Sequence, residues 1–211
     1  MKKTTTKQKV FDVAVDLFSQ KGFSGTSVRE IARTVGIKES SLYNHYQNKS
    51  DILTKIFDYY EAEIEKARPS KDYLAEKISI MPAQEFWQKG LVNSQQATQK
   101  PIMQKISKIV LLEMFRDERA RDIALNEFFN RQQKLVEKIF GLMQRKGSIK
   151  ENLDPKFLAM EYAYGLLAMQ FEYNILSNWN LPTDKVKEKM FDHIRFISDY
   201  AKNVNGGENS E

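Results

Sequence analysis

The chain has 211 residues, 41% of them hydrophobic and 29% charged, with a formal net charge of +5 and no cysteine. That length buries one sizeable core and a small second one, and the absence of cysteine excludes disulfides, thiolate metal ligands and a cysteine nucleophile. The charge is uneven: residues 1–50 hold 9 Lys and Arg against 4 Asp and Glu, while residues 51–211 hold 24 against 24, so the whole surplus lies at the amino-terminal end.

The opening Met-Lys-Lys-Thr-Thr-Thr leads into an amphipathic helix rather than an apolar run, so it does not read as a signal peptide, and a cytoplasmic location is expected. Lys2 and Lys3 read either as a short arm touching phosphate or the minor groove, or as a plain disordered end. The first predicted helix carries Val10, Val13, Ala14, Leu17 and Phe18 on one stripe and closes at Gly22, with Phe23 placed to pack back on Phe18.

A second helix shows Val28, Ile31, Ala32 and Val35 at the spacing of one buried face, with Arg29, Glu30 and Arg33 opposite. Ser27 and Glu30 form a capping-box pattern, and Gly36 suits the left-handed residue past the helix end. Ile37 anchors the turn, and Lys38, Glu39, Ser40 and Ser41 open a third helix. Leu42 and Tyr46 face inward there, leaving Lys38, Glu39, Ser40, Tyr43 and Asn44 outward. Helix, glycine turn and short helix with a polar outer face is the helix-turn-helix arrangement, whose second helix enters the DNA major groove. On spacing alone, a surface helical hairpin without a ligand is the competing reading. Asn48, Lys49, Ser50 and Asp51 then start a longer helix with Ile52, Leu53, Ile56, Phe57, Tyr60 and Ile64 on its apolar side.

Across Ala14, Leu17, Phe18, Gly22, Phe23, Thr26, Ser27, Val28, Ile31, Ala32, Gly36, Leu42, Tyr43, His45, Tyr46 and Lys49, the chain resembles the TetR family of bacterial transcriptional regulators. The resemblance covers the first quarter of the chain. It departs from the family pattern at Lys38, where a capping Ser is common, and at Tyr46, where Phe is commoner. The resemblance implies an all-α fold: a three-helix DNA-binding domain over 1–48 and a helical effector-binding and dimerisation domain over 49–204. It also implies a double-stranded palindromic operator read by a homodimer, with Thr26, Ser27, Tyr43, His45 and Lys49 binding phosphates. Arg29, Glu39, Ser40 and Asn44 are placed to read base edges, with Lys38 on the same surface. The amino-terminal charge surplus suits that polyanion. An anionic membrane is the weaker alternative, because no segment is a basic amphipathic helix with a large aromatic edge and no apolar run reaches spanning length.

Farther on, Pro69 stops the long helix, and Pro82, Pro101 and Asp154-Pro155 mark helix starts. Two helices are expected between Pro101 and Gly147, broken near 116–121, and two more over about 154–178 and 183–203. Residues 205–211 read as a disordered tail. The helix from Asp154 is apolar around its whole circumference, which predicts burial all round. Its small residues Ala159, Ala163, Gly165 and Ala168 would admit a close partner helix, and Val186, Met190, Ile194 and Ile197 form a stripe on the last helix. The resemblance implies a four-helix bundle between two copies; the alternative is that the chain's own core covers every face.

The resemblance also places a small-molecule pocket in the middle region, for an apolar or aromatic effector. Phe86, Trp87, Met103, Met114, Phe115, Phe128, Tyr164 and Phe171 are its candidate lining, since such side chains adapt to varied apolar ligands, though they serve equally as ordinary core. Glu113, inside Ile-Val-Leu-Leu-Glu-Met-Phe, needs a partner if buried; a ligand, a neighbouring Arg or exposure would each answer that need. His45 and His193 stand apart from any carboxylate cluster, so no metal site is expected, and no cofactor loop or activated nucleophile points to an enzyme. Besides a ligand-released repressor, the sequence admits an activator, or an architectural or cell-cycle DNA-binding protein of the same fold without an effector.

Overall fold

The computed structural model describes residues 5–98 and 100–203, and the side chains of all of these but 94–98. Lys2, Lys3 and the predicted tail at 205–211 lie outside the described residues. The described chain is helical, with a single isolated antiparallel bridge, Ile149 to Lys202, and no helix long and apolar enough to cross a membrane. It divides into two compact units, Met1–Arg68 with Gln95–Ala124 and Pro69–Ser94 with Leu125–Glu211.

The first unit contains α1 (Thr6–Lys21), α2 (Val28–Val35), α3 (Glu39–Tyr43), α4 (Lys49–Ala67), α7 (Pro101–Glu113) and α8 (Glu118–Ile123). Phe18, Ile31, Leu42, Ile52, Ile56, Phe57, Ile106 and Ile109 are its largest fully buried side chains, and each such burial stabilises the fold by about 1.5–3 kcal/mol. The buried face of α1 is turned from the predicted stripe: Phe11 and Val15 are buried, while Val13 and Leu17 are only partly so. The cause is α7, which packs on α1 besides α2 and α4 and widens the covered arc. Polar contacts reinforce this packing, with Lys105 on Asp16 at 2.6 Å, Lys100 on Glu63 at 3.0 Å and the Tyr60 hydroxyl against Ser107 at 2.8 Å. The packing therefore gathers α4, α7 and α8 with the three amino-terminal helices in one compact unit.

The second unit contains α5 (Lys71–Ile80), most of α6 (Ala83–Thr98), α9 (Arg131–Arg145), α10 (Pro155–Asn178) and α11 (Asp184–Ala201). The expected break after Pro101 falls at 114–117, and α8 then runs into α9 through a π-helical segment, Ala124–Asn130, that the sequence pattern did not disclose. Its core gathers Trp87, Phe140, Met143, Leu158, Tyr162, Val186, Met190 and Ile194. Burial raises the Tyr162 phenol well above its ordinary value. The bridge at Ile149 fastens the end of α11, with Lys150 N–H donating to Ala201 O at 2.9 Å.

The chain's own core does not cover every face of α10, which rules out that alternative: only Leu158, Ala159 and Tyr162 are buried, while Phe157, Tyr164, Phe171 and Ile175 are about half exposed in the protomer. The protomer covers one side of this helix with α9 and α11 and leaves the other apolar side open. Gly165 does admit a close helix, but that helix is α11 of the same chain, since a Cβ there would meet the His193 ring at 2.5 Å.

Candidate nucleic-acid interface

The turn between α1 and α2 is built on the backbone of Phe23. The Phe23 ring packs edge-on against Phe18 at 5.4 Å, and its N–H donates to Glu113 Oε1 at 2.8 Å. Its carbonyl accepts from Lys49 Nζ at 2.8 Å, and the same ammonium donates to Thr26 O at 2.8 Å while lying 4.1 Å from the Phe23 ring centre. Lys49 thus holds the turn from the start of α4, with two of its three donors engaged. Glu113, 3% exposed, holds the turn from the end of α7. The partner that its burial required is a backbone N–H, and its expected role in ligand binding is corrected accordingly.

Thr26 is corrected as well. It is 2% exposed, and its hydroxyl donates to Gly22 O at 3.1 Å, so its side chain serves the turn instead of a phosphate. Ser27 accepts from Glu30 N–H at 3.1 Å and caps α2, while the Glu30 carboxylate is taken by Lys21. The Lys21 hydrogen bond holds the Glu30 carboxyl below its ordinary value. Gly36 has φ +80 and sends its N–H to Arg33 O at 3.2 Å, with Ile37 N–H on Ala32 O at 3.0 Å, the double closure of a Schellman end.

α3 is seated by Leu42, fully buried, and by Tyr46, whose hydroxyl donates to Lys7 O at 3.2 Å. Burial first, then the charges of Asp51 and Asp12, push the Tyr46 phenol up to about 12. Lys38 occupies the N-cap of α3 and supplies no side-chain acceptor. On the opposite side Lys38, Glu39, Ser40, Tyr43 and Asn44 are exposed, Ser41 and His45 half-buried. Arg29 reaches across from α2 to within 3.9 Å of Glu39. An open groove between the two helices is lined by Arg29, Arg33, Ile37, Lys38, Glu39 and Ser40. Arg33 was missed as a site residue, although it stands one turn beyond Arg29 on the same polar face, which was the available signal. Asn48 starts α4 by accepting from Asp51 N–H at 2.8 Å, and Asp51 accepts in return from Gln47 N–H at 3.0 Å.

The predicted effector-lining residues do not share one unit. Met103, Glu113 and Met114 belong to the first, and Phe86, Trp87, Phe128, Tyr164 and Phe171 to the second. Phe86, Trp87 and Met103 are buried and Met114 and Phe128 half-buried, whereas Tyr164, Phe171 and above all Phe115, at 87%, are exposed.

Residues 10–56 match the family model described as bacterial regulatory proteins, tetR family. Over 59 residues the chain is 42% identical to the HTH-type transcriptional regulator AcrR of Shigella flexneri, covering 28% of this chain and 27% of that protein. It is 45% identical over 58 residues to IcaR of Staphylococcus epidermidis, a negative transcriptional regulator of the icaADBC biofilm operon, covering 26% of this chain and 31% of that protein. The aligned region thus spans about a quarter to a third of these curated relatives. In fold, the chain is similar to SmeT, the repressor of the Stenotrophomonas maltophilia multidrug efflux pump SmeDEF, with a TM-score of 0.61 at 14% identity over 95% of this chain and 92% of that one. A triclosan complex of SmeT gives 0.60 at 16% identity over 94% and 92%. At these identities the structural likeness establishes the fold alone.

Proposed function

The chain belongs, by its amino-terminal helix-turn-helix domain, to the TetR family of bacterial regulatory proteins, and from that premise we propose that it is a ligand-responsive transcriptional repressor. In this reading it binds a palindromic operator as a homodimer and leaves it when a small apolar or aromatic effector binds. The observation that carries the DNA-binding half is the division of α3 and the turn that follows it: Leu42 and Tyr46 are buried, and Glu39, Ser40, Tyr43 and Asn44 stand outward beside Arg29.

Asn44 suits adenine, Arg29 guanine, and Glu39 the amino group of cytosine. Ser27, Tyr43 and His45 set the register on phosphates, with Lys38 and Arg33 bordering the groove; Lys49 contributes its remaining donor. In free protein Glu39 and Arg29 partly neutralise each other, so base contact replaces one partner by another. The repressing sense and the effector class are supported by IcaR, a negative regulator, and by SmeT, a repressor solved with triclosan.

The test is binding of operator duplexes, taken from the intergenic DNA beside the gene, against random duplex at several salt concentrations. Asn44→Ala should cost about 1–3 kcal/mol and relax preference at one position per half-site. Arg33→Ala should weaken all duplexes alike and lower the salt slope by about one. Equal loss on operator and random DNA for Asn44→Ala would remove its base-reading role. Triclosan is the first effector probe, read as a thermal shift and as release from the operator.

A further inference from the structure

Trp87 is 4% exposed, and its indole Nε1–H finds no acceptor among the described residues. Aromatic rings surround it, with Tyr162 at 4.5 Å, Phe140 at 4.8 Å and Phe86 at 5.4 Å between centroids. A buried Trp ordinarily finds a partner for its one donor, because an orphaned donor forfeits the hydrogen bond it had in water. The three rings offer faces and edges, and the Tyr162 hydroxyl, which does carry lone pairs, does not accept from the indole. The indole N–H therefore lacks an acceptor, and an indole can serve an incoming group only as donor.

The charge of that group follows from its surroundings. Among the described residues Glu113, the one buried charged residue, lies in the first unit, and the Glu127 side chain of the second unit, 7% exposed, is already bonded to Arg131 at 2.8 Å. A charged ligand beside Trp87 would be desolvated without a counter-ion, so the occupant is neutral. Partly buried Met81 and Met169 pack against the same core. Their flexible thioethers can shift to let a flat ring enter.

Building on the effector reading above, we propose that Trp87 donates the anchoring hydrogen bond to a neutral aromatic effector that carries a carbonyl or ether oxygen. Stacking on Tyr162 and Phe140 supplies the contact area, and the Nε1–H selects molecules with an acceptor over hydrocarbons of the same shape.

Benzophenone and 1,1-diphenylethylene test this, since they match in shape and differ by an oxygen in place of a methylene. The chain has two tryptophans, and Trp179 is 72% exposed, so Trp179→Phe identifies the Trp87 indole resonance in a proton–nitrogen correlation spectrum. Benzophenone should move that resonance downfield in the wild-type protein and bind about three- to tenfold more tightly than the hydrocarbon, the worth of one hydrogen bond. Trp87→Phe should abolish the preference. The wild-type spectrum keeps the test intact if that variant folds poorly. An unmoved indole resonance, equal shifts with both probes, binding of neither, or a preference that survives in Trp87→Phe would each overturn the proposal. Operator binding is measured on the same sample: if it holds while the ketone does nothing, only the effector chemistry falls. Loss of operator binding instead removes the regulator reading and leaves the indole result to be judged alone.

Discussion

At the scale of single residues, the two that matter most to the reading head are not on its surface. Glu113 and Lys49 grip the backbone of Phe23 from either side, one by its N–H and the other by its carbonyl. Removing the Glu113 carboxylate orphans a donor in a closed turn, which costs about 1–3 kcal/mol. Glu113→Ala should therefore lower stability by that amount in urea denaturation, and Glu113→Gln, which keeps an acceptor, should lose much less. Similar losses in the two variants would mean that the Phe23 contact contributes little. Lys49→Met removes two hydrogen bonds and a cation over a ring, so reduced DNA affinity in that variant should come with a lowered melting temperature. The exposed part of the candidate site was legible in the sequence, because Lys38, Glu39, Ser40, Tyr43 and Asn44 fall opposite Leu42 and Tyr46 at helical spacing. The buried part was not. Glu113 and Phe23 are 90 positions apart, and Thr26 turns its hydroxyl to a carbonyl four residues back, a choice that residue type leaves open.

At the scale of elements, short helices depend on their ends. α3 has five residues, and its N-cap Lys38 offers no acceptor, while α1, α2 and α4 are capped by Thr5, Ser27 and Asn48. Lys38→Ser should supply the missing cap and stabilise the protein by about 0.5–2 kcal/mol, seen as a higher melting temperature, while altering operator preference at the groove. No gain in melting temperature would show that solvent already satisfies that end at no cost. A second element contact is α8 on α4, where Arg119 bonds Asp58 at 2.6 Å and Glu61 at 2.8 Å. The Arg119 hydrogen bond, with help from Lys55, holds the Asp58 carboxyl below its ordinary value. A depressed carboxyl stabilises the fold above its unfolded value, near 4, and loses that contribution as pH falls through its lower folded value. The pair is partly exposed, so the loss is on the order of 0.5 kcal/mol. Stability of wild type and Arg119→Met should differ by that much at pH 7 and converge toward pH 3. Helix starts at Pro101 and Pro155 and the ends at Gly36 and Gly147 were readable because proline and left-handed glycine act locally. The π-helical segment at Ala124–Asn130 carries no such mark, since its widened turn depends on how the segment packs.

For the whole molecule, the open apolar side of α10 decides the state of assembly. Phe157, Met160, Tyr164, Phe171 and Ile175 recur at spacings of three, four and seven, all exposed on one stripe, and α11 adds Phe191, Phe196 and Tyr200. A monomer seldom leaves so much contiguous apolar surface in water. A second copy placed two-fold symmetrically would cover it with the same surface, and an interface of standard size needs about 800 Å² from each partner. Two reading heads also suit half-sites roughly 34–36 Å apart. Sedimentation should therefore find a dimer at micromolar protein. Phe171→Glu, with or without Ile175→Asp, should shift it to monomer, because two like charges would be buried across the axis. Both side chains are about half exposed in the protomer, so helix content should stay unchanged. Operator affinity should fall much further in these variants than affinity for a single half-site, since the monomer loses only the second contact. A wild type that sediments as a monomer, or a double variant that remains a dimer, would place the interface elsewhere and leave the apolar stripe for another partner.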